Sequence, residues 1–265
     1  MIKISIIPVG LLMTASIALA VDPVATKLKY RWAHTSDSAE TLHNRVSVPN
    51  GFARINVQPD SFANWLRHIP LKPEGAPVML YNGERKWRQD VHHAVIDIDV
   101  GKKDRQQCAD AVMRLRAEYL YSVGRANSIC FNAVSGKKMC LRDTQKIGFR
   151  RYLSNVFAFA NTRSLFNQMR NVTTPDKVFA GEVFIEPATG GAYGHAVLVM
   201  DVAANDAGER LFLLAQSYMP AQDIHILKNP SDANLSPWYR YVQGKTLVTP
   251  EWSFAPGNTH REFTD

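Results

Sequence analysis

The strongest structural signal in this sequence lies in residues 194–217, GHAVLVMDVAANDAGERLFLLAQS. Two apolar runs flank NDAG at residues 205–208, a pattern typical of antiparallel strands joined by a turn. A hairpin centred between residues 205 and 206 places His195 directly opposite Gln216. Because opposed side chains share one face of a sheet, with Cβ atoms about 5 Å apart, we expect the Gln216 amide to hold one imidazole nitrogen.

Helical signals come before this hairpin. Good helix formers predict a long helix from Asp104 to about Tyr121 and a second from about Phe149 to Ala160. Ser61 is expected to cap a short helix that ends before Pro70. Apolar runs predict further strands, and the tail from Asn229 onward, which holds four prolines, is expected to be irregular. The pattern predicts an α+β fold with helices before a mostly antiparallel sheet.

Composition places the chain among globular proteins. Hydrophobic residues make up 46% and charged residues 21% of its 265 positions, which excludes the disordered and fibrous classes. No Pro/Gly/Ser-rich joint divides the chain, so residues 21–265 are expected to form one domain. The formal charge of +7 would help adhesion to phosphate-rich or carboxylate-rich polymers. Without a concentrated basic run, no nucleic-acid partner is expected.

The first twenty residues have the pattern of a signal peptide. Lys3 precedes an apolar run from Ile4 to Ala20, which ends in the small-x-small sequence that signal peptidase cuts. No basic stop-transfer flank follows Ala20, so stable membrane insertion after cleavage is not expected. The mature protein is predicted to be periplasmic or extracellular.

Three cysteines require an explanation in an oxidising compartment. Cys130 and Cys140 lie in two short runs joined by a turn signal at Ser135-Gly136. A hairpin turning there places the two side chains opposite each other, at a separation that a disulfide can bridge. Three reduced, buried cysteines are the alternative. If Cys130 and Cys140 form the disulfide, Cys108 is left unpaired.

Cys108 lies near the start of the predicted long helix. Free backbone N–H groups and the helix dipole favour a thiolate at such a position, as a nucleophile requires. With His195 as the base and Gln216 as the group that orients it, Cys108 completes the arrangement of a cysteine hydrolase. Gln107 could donate a hydrogen bond to an oxyanion, although a surface glutamine is the commoner explanation. The alternative for Cys108 is core packing, since it continues an apolar stripe along the helix.

The order of these features resembles that of papain-like cell-wall hydrolases of the NlpC/P60 and CHAP type. A cysteine at a helix start is followed by a Gly-acidic step at Gly181-Glu182, a Gly-His strand and a polar residue on the next strand. The resemblance covers about residues 104–220. It implies a papain-like core of helices packed on a mostly antiparallel sheet, and it implies Cys108 as nucleophile, His195 as base and Gln216 as orienting residue.

Three longer segments resemble a second family, the bacterial exported family catalogued as domain of unknown function 4846. They are residues 61–67 (SFANWLR), 106–119 (QQCADAVMRLRAEY) and 214–222 (LAQSYMPAQ). This resemblance implies membership without an activity, so the function has to be argued from the site.

The sequence leaves two functions open. One is an exported cysteine peptidase or amidase acting on a peptide or peptidoglycan-like substrate, and the other is a non-catalytic binding module of the cell envelope. Adjacent histidines such as His92-His93 point to opposite faces of a strand and chelate poorly, so no metal is expected. No glycine-rich phosphate loop is present, so no cofactor is expected either.

Overall fold

The computed structural model describes residues 29–32, 40–174, 176–257 and 259–264, apart from the side chains at 145 and 146. The predicted signal peptide, residues 1–20, lies outside the described residues. Within the described part of the chain, no helix combines the length and the apolar character needed to cross a bilayer.

Five α-helices start mostly at residues with suitable caps. Ser61 Oγ accepts a hydrogen bond from the backbone N–H of Asn64, and Asn161 Oδ1 accepts one from Ser164, as expected for helix N-termini. The cap predicted at Ser61 is therefore confirmed. The helices are α1 (Leu42–Arg45), α2 (Phe62–Arg67), α3 (Cys108–Ser122), α4 (Phe149–Phe159) and α5 (Thr162–Gln168), with 3₁₀ turns at Ala126–Ser128 and Leu141–Ile147.

Thirteen short strands are present among the described residues, and all their pairings are antiparallel. They are β1 (Ala53–Arg54), β2 (His92–Val95), β3 (Cys130–Asn132), β4 (Lys138–Cys140), β5 (Arg170–Asn171), β6 (Val183–Glu186), β7 (His195–Ala204), β8 (Arg210–Gln216), β9 (His225–Leu227), β10 (Tyr239–Arg240), β11 (Leu247–Val248), β12 (Ser253–Phe254) and β13 (His260–Glu262). Nine strands form the main sheet, in the order β2-β9-β8-β7-β6-β13-β5, with β1 beside β7 and β10 beside β8.

The predicted α+β class with a papain-like core of helices packed on a mostly antiparallel sheet is wrong. One large antiparallel sheet dominates the described residues, and among the five helices found there only α3 and α4 exceed ten residues. The tail after Asn229 contributes to this difference, because β10 and β13 join the main sheet while β11 and β12 pair with each other. Strands of two or three residues are too short to show the alternating pattern by which a strand is read from sequence.

Apolar side chains cover both faces of the sheet. On β7, Leu198 and Met200 pack into the cluster that contains α3, whereas Val197 and Val199 pack into a second cluster with Phe254 of the tail. The alternation follows from the two-residue period of a strand. His195 has the same parity as Val197, so its ring lies on the face opposite α3.

The β7–β8 hairpin exists, but its predicted register is wrong. The turn spans Asn205 to Glu209, whose backbone groups are joined by a 3.1 Å hydrogen bond, and Met200 is an extra residue in a bulge of β7. Both features displace the pairing, which ends at Leu198 with Ala215. The prediction assumed a turn centred between residues 205 and 206 and no bulge, so it placed the two strands in a different register.

The predicted Cys130–Cys140 disulfide is present. Its two cysteines face each other across β3 and β4, and Gly136 adopts the positive φ of 84° that the turn between them requires. Such a bond fits a protein of an oxidising compartment.

Candidate active site

Cys108 is the first residue of α3. The helix starts four residues later than predicted, at a point where the backbone N–H of Gln107 donates to the Asp110 carboxylate at 3.1 Å. Only 6% of the Cys108 surface is exposed. The sulfur lies 3.9 Å from the carbonyl oxygen of Gly194, the residue before His195.

The Cys108 sulfur lies where β7 and β8 separate. The N–H of Val199 donates to the carbonyl of Glu182 on the β6 side. Main-chain groups alternate along a strand, so the carbonyl of Gly194, five residues earlier, points toward β8. Because pairing with β8 stops at Leu198, this carbonyl faces a gap in the sheet, and the sulfur fills it.

Position 194 has room only for glycine, because the chain at residues 186–188 and Thr162 pack against it. A Cβ atom at position 194 would lie 2.3 Å from the carbonyl oxygen of Glu186, 2.4 Å from Thr162 Oγ1 and 2.5 Å from the backbone nitrogen of Ala188. No side chain fits at those distances. The Gly-His step in the sequence therefore has a packing cause, whatever the role of the histidine.

Burial decides the protonation of Cys108. Desolvation, followed by the electrostatic effect of the nearby Asp110, raises the pKa of the thiol to about 12. Backbone N–H groups of Ala109, Ala196 and Cys108 itself act in the opposite direction and lower the pKa, but they do not overcome burial. The direction of this pKa shift is opposite to the lowering that a helix start favours, and it favours the neutral thiol in the free protein.

His195 is held in one tautomer by Gln216. Its Nε2 lies 2.8 Å from Oε1 of Gln216, so the hydrogen bond expected from the sequence is present. The amide orientation follows from its other end, where Nε2 of Gln216 donates to Glu251 at 2.8 Å. Because Oε1 can only accept, Nε2 of His195 carries the proton and Nδ1 is the basic nitrogen.

The imidazole of His195 is neutral at physiological pH. It is 1% exposed, and burial lowers its pKa to about 4, with the Gln216 hydrogen bond raising the value and the charge of Lys86 lowering it. The ring packs among Tyr218, Trp252 and Phe254, at centroid distances of 5.0, 5.2 and 5.9 Å. Within the described residues, no hydrogen bond joins this ring to the sulfur of Cys108.

A buried polar network continues from Gln216 beyond the residues predicted. The carboxylate of Glu251 accepts a hydrogen bond from the Gln216 amide and forms an ion pair with Lys86, whose side chain is also buried. His225 lies opposite Gln216 on β9, and burial lowers its pKa to about 3. Glu251 and Lys86 could not be predicted from the sequence, because each lies in an irregular segment far from Gln216 in the chain.

Three glutamines surround the start of α3. The side chain of Gln107, the predicted oxyanion donor, is half-buried and donates to Asp104 at 3.0 Å. Gln106 and Gln222 are buried, and in the described part of the chain neither Nε2 atom has a hydrogen-bond partner. An unpaired buried donor costs about 1–3 kcal/mol, so each of these two amides is a candidate hydrogen-bond donor to a bound molecule. Sequence reasoning missed Gln222.

A cavity of about 260 Å³ adjoins the network. Its lining includes Lys86, Tyr218, Gln222 and Glu251. Across the described ranges, no group of three or more His, Cys, Asp or Glu residues could hold a metal ion. The site brings together a thiol, an imidazole, amide groups and the Lys86–Glu251 ion pair.

The model of a family described as Domain of unknown function (4846) matches residues 42–143 and 137–261. These segments cover most of the chain. The chain belongs to this family. The resemblance seen in residues 61–67, 106–119 and 214–222 is thereby confirmed, and all the candidate site residues lie inside the matched segments. Domain of unknown function (4846) carries no assigned reaction in its description, and no curated protein and no solved structure matches the chain.

Proposed function

We propose that this protein is an exported cysteine hydrolase that cleaves an amide or peptide bond, with peptidoglycan peptides as the candidate substrate class. Cys108 is the nucleophile, His195 the base and Gln216 the residue that orients the base. The observation that carries the proposal is the 2.8 Å hydrogen bond between His195 and Gln216, because it leaves Nδ1 as the proton acceptor. The contact of the sulfur with Gly194 supports a common site.

The reaction starts from a neutral pair. The sulfur attacks the substrate carbonyl carbon while its proton passes to Nδ1 of His195, which then protonates the leaving amine as the C–N bond breaks. Water attacks the resulting thioester, giving its proton to His195, and the thiol leaves with a proton. In the free protein the imidazole lies on the sheet face opposite α3 and is not hydrogen-bonded to the sulfur, so the proposed reaction requires substrate binding to move the two groups into contact.

Backbone and side-chain donors are available for the oxyanion. The N–H groups of Cys108 and Ala109 point toward the sulfur at the helix start. Gln107 has a second amide N–H besides the one that it gives to Asp104. We assign these groups to the developing negative charge on the substrate oxygen.

A non-catalytic binding module of the cell envelope is the second candidate. Burial of Cys108 and the raised pKa of its thiol favour this function, because reactive cysteines are usually partly exposed with a lowered pKa. The same cavity would then hold a ligand without cleaving it. The disulfide supports export under either function.

Turnover separates the two candidates. Purified peptidoglycan and a set of peptide amides are incubated with the oxidised protein, and products are identified by mass spectrometry. Hydrolysis by the native protein that is lost in both Cys108→Ala and Cys108→Ser, with unchanged circular dichroism, supports the hydrolase. Retained hydrolysis in these variants would remove Cys108 as nucleophile, and binding without hydrolysis would favour the module.

A further inference from the structure

The cavity beside the polar network has mainly apolar walls. Trp87 stands at its edge with 87% of its surface exposed, an unusual position for a tryptophan. Tyr218 links the cavity to the site, because its ring lies 5.0 Å from that of His195.

The charged groups of the cavity already have partners. Lys86 pairs with Glu251, and the Arg88 guanidinium pairs with Asp90 at 2.8 Å and donates to the carbonyl of Pro250 at 3.0 Å. Each charged side chain in the described lining of the cavity is already part of an ion pair. The lining therefore suits a neutral, apolar group.

Gln222 belongs to the lining of the cavity and has an unpaired amide nitrogen in the described structure. Its side chain is 1% exposed, and its Nε2 has no hydrogen-bond partner in the described part of the chain. Its backbone is fixed, because the Ser217 hydroxyl lies 2.8 Å from the carbonyl of Gln222 and 2.9 Å from that of Gln106. Gln106 is two residues before Cys108, so this link holds Gln222 beside the start of α3.

We infer that the cavity binds an apolar amino-acid residue of the substrate, with Gln222 Nε2 donating a hydrogen bond to a carbonyl oxygen of that residue and Trp87 covering its side chain. This inference rests on the proposed function, which it extends to the substrate class. A volume of about 260 Å³ is large enough for one amino-acid side chain with its carbonyl group.

Binding is measured on the Cys108→Ala protein, so that no turnover interferes. Two probes are titrated: N-acetyl-leucinamide, and the α-amide of N-acetyl-aspartic acid, whose side-chain carboxylate is charged. The side-chain NH₂ signals of the glutamines are followed by NMR. The leucine probe should bind and shift the Gln222 signal. The aspartate probe should bind at least about fivefold more weakly, because its carboxylate would lose water without gaining an unpaired cation. Gln222→Leu and Trp87→Ala should each weaken leucinamide binding about fivefold or more. Gln243→Leu, at an exposed glutamine, should have no effect.

Equal binding of both probes, or leucinamide binding unchanged by Gln222→Leu, would overturn the inference. So would the absence of binding. Binding and turnover test the two proposals separately. If the leucine probe binds as expected but the native protein hydrolyses no substrate, the proposed function is contradicted and the inferred binding site is not. If hydrolysis occurs but is unchanged by Gln222→Leu and Trp87→Ala, the inferred binding site is contradicted and the proposed function is not.

Discussion

Gln216 reaches His195 diagonally across the sheet, with 2.8 Å between Oε1 and Nε2, although the two residues are not paired in the β7–β8 ladder. The partner directly opposite Gln216 is His225 on β9. The amide of Gln216 therefore lies between two buried histidines and Glu251. Its orientation sets the proton positions of the whole network.

Replacing Gln216 should release His195 from its single tautomer. Gln216→Leu keeps the approximate volume but leaves the Nε2–H of His195 and the carboxylate of Glu251 without that partner, so the free energy of unfolding should fall by about 1–3 kcal/mol. Imidazole ¹⁵N chemical shifts should change from the Nε2–H form to a mixture. Gln243→Leu serves as the control, and unchanged shifts would show that Gln216 does not fix the tautomer.

Stability should depend on pH through the buried histidines. The folded-state pKa values of His195 and His225, about 4 and about 3, lie below the unfolded value of 6.5, so the unfolded chain binds more protons in this range. Their stabilisation is complete above about pH 6.5 and declines as the pH falls toward about 4, by up to about 1.4 kcal/mol per pH unit and histidine. Urea unfolding at several pH values measures the slope. His195→Gln should reduce it, and an identical slope in this variant would contradict the assignment.

Cys108 should react slowly in the folded protein. With a thiol pKa of about 12, alkylation by iodoacetamide should keep rising with pH well beyond the value near 8.5 at which a free cysteine levels off. The same cysteine in guanidinium chloride provides the matched control, and the disulfide protects the other two. A plateau of labelling near neutral pH in the folded protein would show a stable thiolate instead.

Asp201 should be essential for the fold and not for the site. Its carboxylate is fully buried and accepts hydrogen bonds from Arg54 at 2.7 Å and Arg67 at 2.8 Å, beside the β7 bulge. Asp201→Asn leaves two arginines without their counter-charge, so unfolding free energy should fall by about 3–5 kcal/mol. Asp206→Asn, in the exposed turn, is the control. Equal stability of the two variants in urea would disprove the structural role.

Local signals explain which parts of this structure the sequence could predict. A short turn at Ser135-Gly136 sets the register of Cys130 and Cys140, so the disulfide could be located from two residues and a turn. The β7–β8 register could not, because the bulge at Met200 leaves no mark in the apolar pattern. The predicted register that paired His195 with Gln216 is wrong. The Gln216 side chain is nevertheless long enough to reach His195 from a diagonal position on the neighbouring strand.

Burial and distant segments account for what the sequence could not predict at the site. A helix-start cysteine suggests a low thiol pKa, but the opposite result depends on how completely the surrounding chain excludes water. Glu251 and Lys86 meet across a separation of 165 residues, which no local pattern reveals. Gln222 is a candidate binding residue because, in the described part of the chain, its buried amide nitrogen has no hydrogen-bond partner, and this depends on the folded structure.

Acyl transfer to the sulfur tests the central claim most directly. The oxidised native protein and the His195→Ala variant are treated with p-nitrophenyl acetate, and the acetylated residue and its rate of formation are determined by mass spectrometry. We expect acetylation at Cys108 in the native protein and a rate at least about 100-fold lower in His195→Ala, as for the loss of a general base. Equal rates in the two proteins, or acetylation elsewhere, would contradict the pairing of this thiol with this imidazole.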